Sequence, residues 1–147
     1  MQKFNYYSPT RIVFGAGTRN DIGTLIKEFG VEKVAVIFGG NSAKKSGLLD
    51  LVEDKLKSEG MDVLLLGGVV PNPLLSKAKE MTKEALKFGA EFVLAVGGGS
   101  VIDTAKFVAI GVANPDTDIE EFFFQRKKVE KSVPIGTVLT IAAAGSE

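Results

Sequence analysis

Histidine, cysteine and tryptophan are all missing from this 147-residue sequence. Without cysteine there can be no disulfide, no thiolate nucleophile and no cysteine metal site, although that alone does not fix the redox compartment. Without histidine the commonest general base and the commonest transition-metal ligand are gone, so acid–base work within the chain falls to carboxylates, lysines or tyrosines. An excess of one charge is missing too, since Lys plus Arg and Asp plus Glu each number 18. That balance removes the broad electrostatic argument for a nucleic acid or a membrane surface as partner. No apolar run is long enough to span a bilayer, and the stretch from Met1 to Tyr7 lacks the apolar core of a secretory signal. A cytoplasmic protein is the expectation.

Hydrophobic residues make up 45% of the chain and charged residues 24%, an ordinary balance for one compact globular domain, expected over residues 1–147. Four apolar runs read as strands: Val34 to Phe38, Val63 to Leu66, Phe92 to Val96 and Val138 to Ile141. Their hydrophobicity is continuous rather than alternating, which predicts strands covered on both faces. Between them lie amphipathic segments. Ile22, Leu25, Ile26 and Phe29 share a helical face that stops at Gly30, and Leu48, Leu49, Val52 and Leu56 share one that stops at Gly60. Met81, Ala85 and Phe88 mark a third, ending near Gly89. Strand and helix in alternation predict an α/β fold, a mostly parallel sheet with helices on both faces. Arg11 to Phe14 reads as an edge strand or an arm, with Thr18 or Asn20 as cap of the first helix. Pro71-Asn72-Pro73 reads as a turn, and the charged run Gln125 to Lys131 as a solvated loop. Tyr6, Tyr7 and the cluster Phe122-Phe123-Phe124 read as packing or interface residues.

Seventeen glycines are present, and they gather where chemistry is expected. Val96-Gly97-Gly98-Gly99-Ser100 stands at a strand-to-helix handover, the place where open parallel sheets bind ligands. Missing side chains let an anion approach the main chain, and the free N–H groups and dipole of a helix beginning near Ser100 attract phosphate. Ser100 and Asp103 also form an S-x-x-D pattern that would cap the helix without any ligand. Asp103 is therefore read either as a cap or as an acceptor for a ribose hydroxyl or amide. A second handover, Phe38-Gly39-Gly40-Asn41-Ser42-Ala43-Lys44-Lys45, holds no carboxylate before Gly47. Sites selective for NAD often place an acidic residue against the ribose hydroxyls, so its absence beside Ser42 and two lysines leans toward NADP. The spacing of Gly15, Gly17 and Gly23 does not fit G-x-G-x-x-G.

In order along the chain, RIVFGAG, GGNSAKKSGLLD, VPNP, AVGGGSVIDTAKFVA and VLTIAAAGSE resemble the N-terminal half of the iron-containing (group III) alcohol dehydrogenases. Within that family the GG-x-S-x-KK-x-G run is similar to the NADPH-dependent butanol dehydrogenase and aldehyde reductase branch. The resemblance implies a Rossmann-like, dehydroquinate synthase-like nucleotide domain. It further implies a following helical domain, absent here, that carries a divalent metal (Fe or Zn) in the full-length enzyme, so the sequence is read as truncated. Gly39, Gly40 and Ser42 would meet the adenosine ribose and its 2′-phosphate, Gly98, Gly99 and Ser100 the pyrophosphate, and Asp103 the nicotinamide side. Asn72 and Pro73 would border the crevice, and Thr140 would line the adenine or ribose pocket. The family motif T-x-P-x-T-G-S-E is broken at Ala142 and Ala144. The implied activity is hydride transfer between a small alcohol or aldehyde and NADP(H), with NAD(H) as the alternative cofactor. The fragment alone is expected to be inactive, with a homodimer formed through the N-terminal strand. A non-catalytic nucleotide-binding or dimerisation module, or a relative of glycerol dehydrogenase, are the other readings.

Overall fold

The computed structural model describes residues 3–5, 7–143 and 145–147, with positions 41 and 42 described for their backbone alone. The readings made for Tyr6, Ala144 and the Ser42 side chain lie outside the described residues.

Four strands form one wholly parallel sheet: β1 (Lys33–Phe38), β2 (Asp62–Leu66), β3 (Phe92–Gly97) and β4 (Ile135–Leu139), in the order β2-β1-β3-β4. The helices are α1 (Ile22–Lys27), α2 (Asn41–Lys45), α3 (Leu48–Ser58), α4 (Leu75–Phe88), α5 (Gly99–Ala113) and α6 (Glu120–Phe124), with a 3-10 turn at Thr18–Asp21. Successive side chains of a strand point to opposite faces. Accordingly Val34, Val36, Phe38, Phe92, Leu94 and Val96 pack on one side with Ile22 and Ile26 of α1 and Leu49, Val52 and Leu56 of α3. Ala35, Ile37, Val93 and Ala95 pack on the other with Met81 and Ala85 of α4 and Ile102, Ala105, Val108 and Ala109 of α5. The two central strands, β1 and β3, are thus buried on both faces, which explains their unbroken apolar sequences.

Of the two readings for residues 11–14, the arm and not the edge strand fits: they pair with no strand among the described residues, and Ile12 and Phe14 are exposed. Two local expectations need correction. The last strand begins three residues earlier than its apolar run, because Ile135 and Gly136 pair with Val93 and Leu94. Gly136 disguised this, yet it is needed there: a Cβ would stand 3.0 Å from the Phe92 ring. Neither Thr18 nor Asn20 caps a helix; Gly17 and Asp21 hold the cap positions without a side-chain bond, and Thr18 Oγ1 instead donates to Gly15 O at 3.0 Å. Cover on both faces holds for β1 and β3 alone: the outer strands β2 and β4 are mostly half-buried or exposed, and Phe29 lies beyond α1 and is largely exposed. Gly30, Gly60 and Gly89 end their helical segments with positive φ, and residues 125–131 form an exposed loop.

Candidate functional site

The strand order sets the location. From β1 the chain passes through α3 to β2 on one side, and then returns through α4 to β3 on the other side of β1. The connections therefore diverge between β1 and β3, and in open α/β sheets the crevice beyond the carboxyl ends at such a switch point receives the ligand. Phe38 pairs with Val96 at the ends of these two strands, so Gly39-Gly40 and Gly97-Gly98-Gly99 leave the sheet side by side.

Hydrogen bonds tie the strand exits in two pairs, β1 with β2 and β3 with β4. The Gly68 N–H donates to Gly39 O at 3.3 Å, the Val69 N–H to Phe38 O at 3.4 Å and the Thr140 N–H to Gly97 O at 3.0 Å. Thr140 is thereby held at the glycine turn, just past the end of β4. Asn72 and Pro73 lie further out, on an exposed turn before α4, where Asn72 takes φ 58° in the left-handed region that asparagine tolerates. No hydrogen bond among the described residues joins them to the glycines.

The glycines have separable causes. A Cβ on Gly97 would fall 2.6 Å from Val101 Cγ2, so close packing of α5 on β3 demands glycine there. A Cβ on Gly39 would be in near contact with Val69 O (3.4 Å) and Val101 Cγ2 (3.6 Å). Gly40 and Gly98 are different. A Cβ on Gly40 would meet nothing within 4 Å, and one on Gly98 only Ile141 Cβ at 3.9 Å. Gly98 is also extended (φ −100°, ψ −166°), a conformation open to any residue. Among the described residues nothing requires glycine at 40 or 98, and the space over both is open.

Gly98 is the N-cap of α5, and its carbonyl accepts from the N–H groups of Val101 (3.0 Å) and Ile102 (3.1 Å). The N–H groups of Gly99 and Ser100 are then the unpaired donors of the first turn, with no side chain capping them. This corrects the capping-box reading. Ser100 is the second helical residue rather than the cap, which carries Asp103 two residues too far along; its carboxylate is exposed. The helix is fifteen residues long, so its dipole adds to the pull on an anion.

Around the glycines stand features that sequence reading missed. Gly67-Gly68 forms a third glycine pair at a strand exit, a doublet visible directly after Leu64 to Leu66. A Cβ on Gly67 would strike the Phe38 ring at 2.5 Å. Lys44 Nζ lies 5.2 Å from the centroid of that ring. Ile141, exposed beside Gly98, gives the rim an apolar member. The groups whose pKa departs from its ordinary value lie elsewhere. Glu91 is held below the carboxylate range by the N–H groups of Glu32 (2.6 Å) and Lys33 (3.2 Å). Asp118 is lowered by the Glu120 N–H and by Lys79, while Glu120 and Asp118 raise Lys79. These contacts fasten turns and helix ends and supply no acid or base to the crevice.

An open parallel α/β sheet with a bare glycine turn and an uncapped helix start at its switch point is the architecture of a Rossmann-like nucleotide-binding fold. Comparison with known proteins narrows this. The family described as iron-containing alcohol dehydrogenase matches residues 9–147, and the chain belongs to that family. It is 42% identical, over its whole length, to the probable NADH-dependent butanol dehydrogenase 2 of Bacillus subtilis, covering 37% of that protein. It is 40% identical to the NADPH-dependent aldehyde reductase YqhD of Escherichia coli, covering all of this chain and 38% of that one. The crystal structure of NADH-dependent butanol dehydrogenase A from Thermotoga maritima superposes with a TM-score of 0.93 at 47% identity, over 99% of this chain and 36% of the other. The chain thus spans less than two fifths of the length of each of these three relatives.

The metal that gives the family its name finds no seat here. The sequence has no histidine, and no group of three or more His, Cys, Asp or Glu among the described residues is placed to hold an ion. The donor set does not fit a metal, and no step is routed through one. No helix among the described residues is long and apolar enough to cross a membrane.

Proposed function

We propose that the crevice between β1 and β3 binds a nicotinamide dinucleotide and orients it for hydride exchange with a small alcohol or aldehyde, NADPH being preferred to NADH. The observation that carries this reading is the pair of glycines, Gly40 and Gly98, that the fold itself does not require. A dinucleotide supplies the hydride carrier; the chain supplies its grip. The N–H groups of Gly99 and Ser100 donate to the pyrophosphate oxygens, and Gly98 leaves room for their approach. The main chain of Gly39 and Gly40, with Ser42, receives the adenosine ribose and its 2′-phosphate. No carboxylate lies in residues 39–47 to repel that phosphate, and Lys44 and Lys45 are cationic there. Thr140 lines the ribose side, Asn72 and Pro73 border the crevice, and exposed Asp103 accepts from the nicotinamide amide. Relatives named for NADH and for NADPH both occur, so the family does not set the preference, and this reading assigns it to the loop.

Among the described residues no cluster is placed to hold the metal of the family. The 147-residue chain therefore binds cofactor without turnover, and metal-stimulated reduction of butanal by NADPH in the purified chain would refute this. The N-terminal segment supports a homodimer: Phe4, Tyr7, Ile12 and Phe14 are each at least 80% exposed on an extended stretch whose backbone pairs with no strand among the described residues. A protein with these tasks belongs in the cytoplasm, beside its cofactor pool. The direct test is displacement of bound NADPH by inorganic pyrophosphate, followed by nicotinamide fluorescence. Competitive displacement supports a pyrophosphate seat at Gly98 to Ser100; NADPH that binds but ignores pyrophosphate removes it.

A further inference from the structure

Phe38 is the last residue of β1, and its side chain is 4% exposed. Its ring is wedged against the β2 exit so closely that any side chain at Gly67 would have to displace it. Over the same ring lies Lys44 Nζ, 5.2 Å from the centroid, within the range of a cation–π contact. Lys44 makes no ion pair among the described residues, whereas Lys57, Lys77, Lys79 and Lys127 are each held by a carboxylate. Its charge is therefore not neutralised within the fold. A free lysine samples many rotamers, and ordering it around an anion costs entropy each time the anion binds. A lysine already resting on a fixed aromatic face has met much of that cost in advance.

We infer that Phe38, locked by Gly67, is a positioning residue that holds the Lys44 ammonium beside the Gly39-Gly40 turn to receive a phosphate monoester on the ligand's adenosine ribose. The inference rests on the dinucleotide reading above and assigns its discrimination to an aromatic–lysine pair rather than to the glycine loop alone. The ring touches no ligand. Its effect passes entirely through Lys44, so removing either partner weakens NADPH and leaves NADH alone.

The test is a double-mutant cycle on Phe38→Leu and Lys44→Gln, reading the Kd of NADPH and of NADH by titration calorimetry. Each single variant is expected to lose about tenfold for NADPH, the scale of one charge-assisted contact, with the NADH value unchanged. The double variant is expected to lose no more than Lys44→Gln, because Phe38 acts only through Lys44. Phe38→Tyr keeps an aromatic face and is expected to keep the preference. Losses that add in the double variant, or a Phe38→Leu protein with unchanged NADPH affinity, overturn the positioning role. Should Phe38→Leu fail to fold, the native protein still decides: Lys44 ε-methylene protons resting on the ring are shifted upfield in the NMR spectrum, and unshifted protons overturn the proposal. A native protein that binds NADH but does not favour NADPH refutes this inference and spares the dinucleotide site, whereas one that binds neither refutes both.

Discussion

Three adjacent glycines look alike in the sequence and prove unlike in the fold. Gly97 is a packing residue, since the first turn of α5 presses Val101 to within 2.6 Å of its missing Cβ. Gly98 is crowded by nothing nearer than 3.9 Å. The two should part company on substitution. Gly97→Ala is expected to cost about 1–3 kcal/mol through overpacking, measured by denaturant unfolding. Gly98→Ala is expected to leave unfolding within about 0.5 kcal/mol of the parent, as open surface sites usually do. The sequence located the glycine run, but which glycine the packing requires depended on where Val101 and Ile141 lie, and those contacts form only in the folded chain. Asp103 teaches the same lesson. Its spacing from Ser100 satisfied a capping pattern, yet the helix starts two residues too early for that pattern to operate.

At the scale of elements, β1 and β3 were legible because burial on both faces leaves a continuous apolar signature. The start of β4 was not, because Gly136 reads as a breaker unless the Phe92 ring beneath it is known. Two connections can be tested for stability. Gly89 closes α4 at φ 78°, donating to the carbonyls of Ala85 and Leu86, so Gly89→Ala is expected to destabilise by about 1 kcal/mol in thermal unfolding. Glu91 joins the starts of β1 and β3 by accepting from Glu32 and Lys33 N–H. Because those donors favour the ionised form, its folded pKa lies below the ordinary 4.5. Its contribution is therefore present above that value and is lost as pH falls through the folded value. In a pH series of melting temperatures, Glu91→Gln is expected to be less stable than the parent at pH 7 and to converge with it in acid. A constant difference between the two proteins across the acid range would contradict this.

For the whole molecule, the apolar alternation told of a parallel sheet wrapped by helices, and family likeness told which one. What neither stated is why the two glycine turns face each other. That follows from the strand order, in which the connection from β1 runs outward to β2 and the one from β3 runs the opposite way to β4. The core behind the crevice carries the stability: Leu94, 1% exposed at the centre of β3, is expected to cost about 2–5 kcal/mol on replacement by alanine. The exposed N-terminal aromatics belong to this scale as well. Sedimentation is expected to show a dimer at micromolar concentration, and a monomer at all concentrations would count against the N-terminal segment as its seam.

The measurement that bears most directly on the central claim is calorimetric titration of NADPH into the native chain and into Gly98→Val, paired with their melting curves. If Gly98 is glycine because a pyrophosphate lies against it, the native chain binds NADPH, and the variant melts close to the parent while losing most of its affinity. If the variant binds NADPH as well as the parent, the glycine turn does not hold the cofactor, and the function assigned to this crevice is wrong.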